Sequence, residues 1–356
     1  MSARRARLPP AVAAALLAGL IVTAAAAPAA PHLVTRWGSE GTAPGQFGRG
    51  NELSRQSGRQ FDDPAGIAVD RKNRVLVADP SNNRVERYTR DGRYLNKFGR
   101  LGYTFSMRGA LAKRLYVPQG VAVDYKGNYF VVDNGNDRVM KYNSRWHLKR
   151  RIAERGAFPG QVLSAEGIAT SRRFVYVVDQ GSYRVERFSL AGRYRGSFGT
   201  FGRNAGQFVY PYGVAVDPKG RTVYVADQIR DKVLIFGATG KFFGEFGAPG
   251  QGPGEFLHPT GVAVAPDSSV YVSDRCNQRI EHFTAAGEFI EQFGHGITDA
   301  PTFLTFDRDG NLYVADYHRV VKFGPGAGAA SAMPVAGAAH HNGVDILCRH
   351  VAEQLG

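Results

Sequence analysis

The sequence predicts an all-β fold: a six-bladed β-propeller of four-stranded antiparallel blades, closed by an N-terminal strand that completes the last blade. Three observations predict it. One phrase recurs six times, at steps of 54, 47, 46, 48 and 42 residues, the spacing of a repeat architecture. Each copy holds four apolar runs of strand length, parted by clusters of Gly, Asp, Asn, Lys and Arg. The sixth copy lacks its fourth run, and an unmatched run of the same kind stands near the N-terminus.

In the fullest copy the runs begin at Pro211, Val223, Lys232 and Phe243; the other copies enter at Pro64, Pro118, Ala165, Pro259 and Pro301. The first run is small and apolar (Gly-Val-Ala-Val), which suits an innermost strand where blades crowd an axis. Gly66, Gly120, Gly167, Gly213 and Gly261 share one position, which Phe303 takes in the sixth copy. Runs such as Val75 to Val77 and Val85 to Tyr88 favour β-branched and aromatic residues. Turn signals such as Asp91-Gly92 and Thr239-Gly240 supply the positive φ of tight hairpins. A small sheet cannot bury both faces alone, and radial packing solves that problem.

Each second run ends in an aspartate: Asp79, Asp133, Asp179, Asp227, Asp274 or Asp316. Five residues later stands Arg84, Arg138, Arg184, Lys232 or Arg279, and the shorter sixth copy offers Arg319. A sixfold structural unit needs the same device six times. Each aspartate is therefore expected to cap its turn and pair with that base, not to form a ring of catalytic acids. The run from His32 to Gly38 reads like that from Tyr94 to Gly99, so it is expected to supply the missing outer strand.

On these residues the chain resembles NHL-repeat β-propellers. The shared phrases are Pro-x-Gly-Val-Ala-Val-Asp, Tyr-Val-Ala-Asp, Asn-x-Arg-Val and a closing Phe-Gly. Leaders of the Gly-Gln-Phe kind end at Phe47, Phe208 and Phe256. The resemblance spans residues 32–324 and implies the fold; function must be argued from sites.

Arg4, Arg5 and Arg7 precede an apolar run from Ala11 to Ala27. Residues 1–27 are read as a secretory signal peptide, with an uncleaved anchor as the alternative, so the chain is expected outside the cell or in its envelope. Residues 325–356 read as a flexible Gly/Ala-rich tail with a short helix over 344–355. His340, His341, Cys348 and His350 lie there, but a closed metal site needs fixed geometry, so no metal is expected. Cys276 and Cys348 are the only cysteines. A disulfide and two free thiols both stay open, because the bond needs Cα atoms within about 7 Å.

Formal net charge is +14, unevenly spread. Residues 28–200 carry 30 Lys or Arg against 15 Asp or Glu; residues 201–356 carry 12 against 16. Hairpins joining strands one to two and three to four share one rim of a propeller. That rim would hold Arg71, Lys72, Arg74, Arg93, Arg172, Arg173, Arg193, Lys219 and Arg221, and also Arg90. It should attract polyanions with salt-sensitive affinity, though the same residues equally serve solubility. Export points to a cell-wall polymer or acidic lipid, not to intracellular nucleic acid.

At the opposite face the innermost strands begin, and the middle residues of the entry phrases are Ala65, Gln119, Glu166, Tyr212, Thr260 and Thr302. The amidating lyase that resembles these repeats holds zinc with histidines in that slot. None of the six is His, and His258 stands alone before Pro259. Gluconolactonase-like propellers hold a divalent cation there with Glu, Asn and Asp. Only Glu166 is a carboxylate in the row, with Asn136 and Asp231 as remoter helpers, so a metal-dependent lactonase or lyase is the alternative reading. No nucleophile elbow, phosphate loop or Cys–His pair occurs. The candidate ligand-binding residues at this axial mouth are Gln119, Glu166, Tyr183, Tyr212, Arg230, His258, Arg275 and Tyr317, with Tyr and Arg as the usual carriers of binding energy. The expected function is a monomeric, non-enzymatic binding scaffold for a protein, peptide or anionic polymer. No catalytic residue, metal or cofactor is expected; a divalent cation belongs to the alternative.

Overall fold

The computed structural model describes residues 31–48, 64–102, 113–325 and Cys348. Residues 1–27, expected as a signal peptide, and the tail beyond Pro325, apart from Cys348, lie outside the described residues. Among the described residues no helix is long and apolar enough to cross a membrane. Six four-stranded antiparallel sheets form the blades. Blade one spans 67–98, blade two 118–153, blade three 165–198, blade four 211–246 and blade five 259–293. Blade six takes Leu304–Phe306, Leu312–Asp316 and Arg319–Gly324, and its fourth strand is His32–Trp37 from the N-terminal side.

Sequence order within each blade is spatial order, and the first strands stand innermost, each beside those of its two neighbours. This close approach explains the recurring glycine. A Cβ at Gly66 would lie 2.5 Å from the Gln119 carbonyl oxygen of the next blade, and Gly120 and Gly167 stand equally close to Glu166 and Tyr212. Any larger residue would push the blades apart. Between blades the core is shared: Ala122, Phe130 and Val139 of blade two pack with Ile168, Val175 and Val177 of blade three.

Closure of the ring is double. Outside, His32–Trp37 pairs antiparallel with the last strand, from His32 opposite Gly324 to Trp37 opposite Val320. Inside, the Thr302 hydroxyl of blade six donates to the Pro64 carbonyl of blade one at 2.9 Å. A third set of ties runs blade to blade on the hairpin rim. Third-strand cations three residues past the opening base donate to the next blade's hairpin: Arg87 to the Ser144 carbonyl, Lys141 to Leu190, Arg187 to Ala238 and Lys322 to Arg90.

The turn aspartates pair with the base opening the third strand in five blades. In blade five Arg279 bonds Asp274 at 2.9 Å, and its fork donates to the carbonyls of Gln251, Gly252 and Glu255 in the leader. The device therefore fastens each leader to its own blade. Blade four corrects the expectation. Lys232 pairs with Glu245 at 2.6 Å, while Arg230 supplies the fork, donating to the Gln207 carbonyl and to Glu245, both at 2.7 Å. A lysine ammonium is a compact point charge and cannot hold a carboxylate and several leader carbonyls at once, whereas a guanidinium can. Asp227 is held instead by the N–H groups of Val209, Tyr210 and Arg230.

Candidate functional site

At the entry mouth the structure engages several of the sequence-derived residues in contacts between neighbouring loops and blades. Gln119, Glu166, Arg230 and His258 are buried; Tyr183, Tyr212, Arg275 and Tyr317 are half-buried. The Tyr183 ring meets Phe201 at 4.8 Å, and Tyr317 lies 3.9 Å from His318. The His258 N–H donates to Asp231 at 2.8 Å. One pair does reach the axis: Tyr212 stacks on Phe303 with ring centroids 5.4 Å apart. They belong to blades four and six, which do not adjoin, so the pair spans the channel.

The oxygens that a divalent cation would use at this mouth already have partners in the fold. Glu166 accepts a hydrogen bond from Asn134 at 3.1 Å, Asn136 donates to the Gly102 carbonyl and to Asp133, and Asp231 caps the backbone before blade five. A hard cation needs several converging oxygens. Among the described residues no three His, Cys, Asp or Glu side chains converge.

The cavity lies at the other end of the axis, a place that sequence reasoning did not select. It measures about 350 Å³ and is floored by Val69, Val123, Val264 and Phe306, the last residues of four innermost strands. Its lip is made by the residues that follow those strands, Arg71, Tyr125, Pro266 and Arg308, with Pro218 after the first strand of blade four. Arg172 of blade three joins them, its guanidinium 5.8 Å from the Tyr125 ring centroid, with the Lys126 ammonium at 5.5 Å.

Asp70, Asp124 and Asp307 also line the cavity, but as turn-builders. Asp70 accepts the N–H groups of Lys72 and Arg74, Asp124 those of Lys126 and Asn128, and Asp307 those of Asp309 and Asn311. Burial pushes the Asp70 carboxyl up, but hydrogen bonds from Arg74 and Tyr129 outweigh it and hold the group below the usual carboxylate range. Each also has a cation of the fold beside it: Arg74 at Asp70, Lys141 at Asp124 and Arg90 at Asp307.

Around this mouth Arg71, Lys72, Arg93, Arg172, Arg173, Arg193, Lys219 and Arg221 are all exposed. Arg74 differs, because it is bound to Asp70 at 2.7 Å and to the Tyr129 hydroxyl at 2.9 Å. Arg90 is likewise engaged, with Asp309 at 2.8 Å. Blades one to four place Lys72, Lys126, Arg173 and Lys219 at the second hairpin position, where blades five and six place Asp267 and Asp309. The positive field therefore covers two thirds of the face.

Cys276 and Cys348 are joined, with Cα atoms 5.3 Å apart across 72 residues of sequence. Cys276 follows the second strand of blade five, so the bond anchors Cys348 on the entry face, opposite the cavity.

An NHL repeat family model matches residues 61–88, and a model described as a 6-bladed beta-propeller matches residues 215–319. The chain is a six-bladed β-propeller of the NHL-repeat kind. It is 30% identical over 99 residues to Protein brain tumor of Drosophila melanogaster; the match covers 28% of this chain and 8% of that protein. Similar solved structures include a gluconolactonase from Xanthomonas campestris (TM-score 0.57, 14% identity, 82% of this chain and 98% of that one). Another is virginiamycin B lyase from Staphylococcus aureus (0.52, 15%, 74% and 85%), and a third comes from a nidogen/laminin complex (0.53, 17%, 68% and 84%). At these identities the likeness concerns the fold alone.

Proposed function

We propose that this chain is an exported binding propeller whose hairpin face engages an anionic polymer of the cell envelope, with no chemistry performed. The observation that carries the reading is the concentration of eight exposed Arg and Lys side chains on that face, all from blades one to four. Such a surface attracts a polyanion by long-range field and counterion release, and needs no sequence in its partner. The Cys276–Cys348 bond supports export, since disulfides persist in oxidising compartments. A protein partner is the second reading. Phe158 and Phe201, 76% and 63% exposed on leader loops of the entry face, favour it.

Retention of the full-length protein on wall-polymer beads, compared with neutral dextran beads, tests the proposal. Specific retention that disappears by about 0.5 M salt supports it. Equal retention on both supports, or retention indifferent to salt, contradicts it.

A further inference from the structure

The cavity differs from the rim around it in one respect that a polymer does not require: its floor is apolar. Val69, Val123, Val264 and Phe306 form a greasy base, and Pro218 and Pro266 continue it to the lip. Arg71 and Arg308 stand at the opening, on adjacent blades one and six. Tyr125, 46% exposed, offers a ring face beside them. Few-sided polar anchoring over an apolar pocket is the general form of a small-molecule site, and the volume falls in the ordinary range for one. At about 30 Å³ for each water-sized group, roughly a dozen non-hydrogen atoms fill it. The Tyr212–Phe303 pair lies nearer the entry face and does not line the cavity.

We propose that this pocket binds a single amphiphilic anion, an acidic head carried on an apolar body of about eight carbons. The body lies on the valines and Phe306, and the head is held by Arg71 and Arg308. Repulsion from the three lining aspartates is offset by cations of the fold, Arg74 beside Asp70, Lys141 beside Asp124 and Arg90 beside Asp307. The inference stands on the apolar floor with Arg71 and Arg308 at its lip, and Arg71 is the one residue it shares with the polymer-binding set.

Titration calorimetry of the full chain tests it with four probes. Octanoate and octyl phosphate carry both parts, octan-1-ol only the body, and inorganic sulfate only the head. The two amphiphiles should bind at one site per chain, at least tenfold tighter than octan-1-ol or sulfate; which of them binds tighter identifies a fatty acid or a lipid phosphate as the source. The double variant R71A/R308A changes only exposed side chains and should weaken the amphiphiles about tenfold while leaving octan-1-ol unchanged, a loss of about 1.4 kcal/mol. Its retention on polymer beads should fall only modestly, because Arg71 is one of eight exposed cations on that face. Equal affinity for octanoate and octan-1-ol, no binding of either amphiphile, or a variant that binds octanoate like the wild type would each overturn the proposal.

Discussion

Tyr212 of blade four and Phe303 of blade six stack across the axis of the ring, 5.4 Å centre to centre. Phe303 occupies the position that five other blades fill with glycine, and it is only 9% exposed. Restoring the repeat by Phe303→Gly should therefore destabilise the protein, by about 3–5 kcal/mol, through loss of buried ring and the cavity left behind. Tyr212→Phe keeps the stack and should cost less than about 1 kcal/mol. Urea unfolding with unchanged slope measures both; a Phe303→Gly protein as stable as wild type would show that the ring is not packed as described.

Arg230 is structural in this fold, although its sequence position invites a ligand-binding role. Its guanidinium is buried against Glu245 and the Gln207 carbonyl. Arg230→Ala should cost about 2–4 kcal/mol, because it strands the partly buried Glu245 and a leader carbonyl. Lys232→Ala, at a side chain nearly a third exposed, should cost under about 1 kcal/mol. Equal costs for the two variants in chemical denaturation would refute the exchange of roles.

Stability should fall as pH rises from 5 to 8. Burial pushes the carboxyls of Asp79, Asp274 and Asp316 up to about 6, and those of Glu186 and Glu281 up to about 7. A raised carboxyl binds its proton more readily folded than unfolded. Its contribution is complete below the unfolded value and is lost as pH passes through the folded value. The melting temperature should accordingly be several degrees higher at pH 5.5 than at pH 8, and D316N should flatten the profile. A melting temperature that climbs across this window would contradict the burial of these acids.

The Cys276–Cys348 bond closes 72 residues of sequence. Cross-linking a span of that size restricts the unfolded chain by up to about 4 kcal/mol. The paired variant C276S/C348S, and the wild type under reductant, should both melt lower than the oxidised protein and match each other. No difference among the three would mean that the bond is absent in solution.

The fold was legible because periodicity is a property of sequence. The recurring glycine reports a backbone approach, and the orphan run at His32–Trp37 could be matched to a missing strand by its pattern alone. Site geometry was less legible. Of the six expected Asp-to-base pairs, five form and the one at Lys232 does not, because the guanidinium of Arg230, two residues earlier, takes that place. The disulfide needed a distance that spacing does not encode. The pocket was missed because no motif marks it. It exists where inner-strand ends and hairpin starts from several blades meet. The cationic residues of that same face were visible as composition, and only the structure separated exposed Arg71 and Arg172 from the internally bound Arg74 and Arg90.

The salt dependence of binding to a soluble wall polymer tests the central claim most directly, measured for the wild type and for R172S/R173S/K219S/R221S. The account predicts a steep linear fall of log affinity with log salt, and a slope shallower by about one for each removed cation that meets the polymer, up to about four. A wild-type affinity independent of salt, or a quadruple variant with the wild-type slope, would contradict an electrostatic site on the hairpin face.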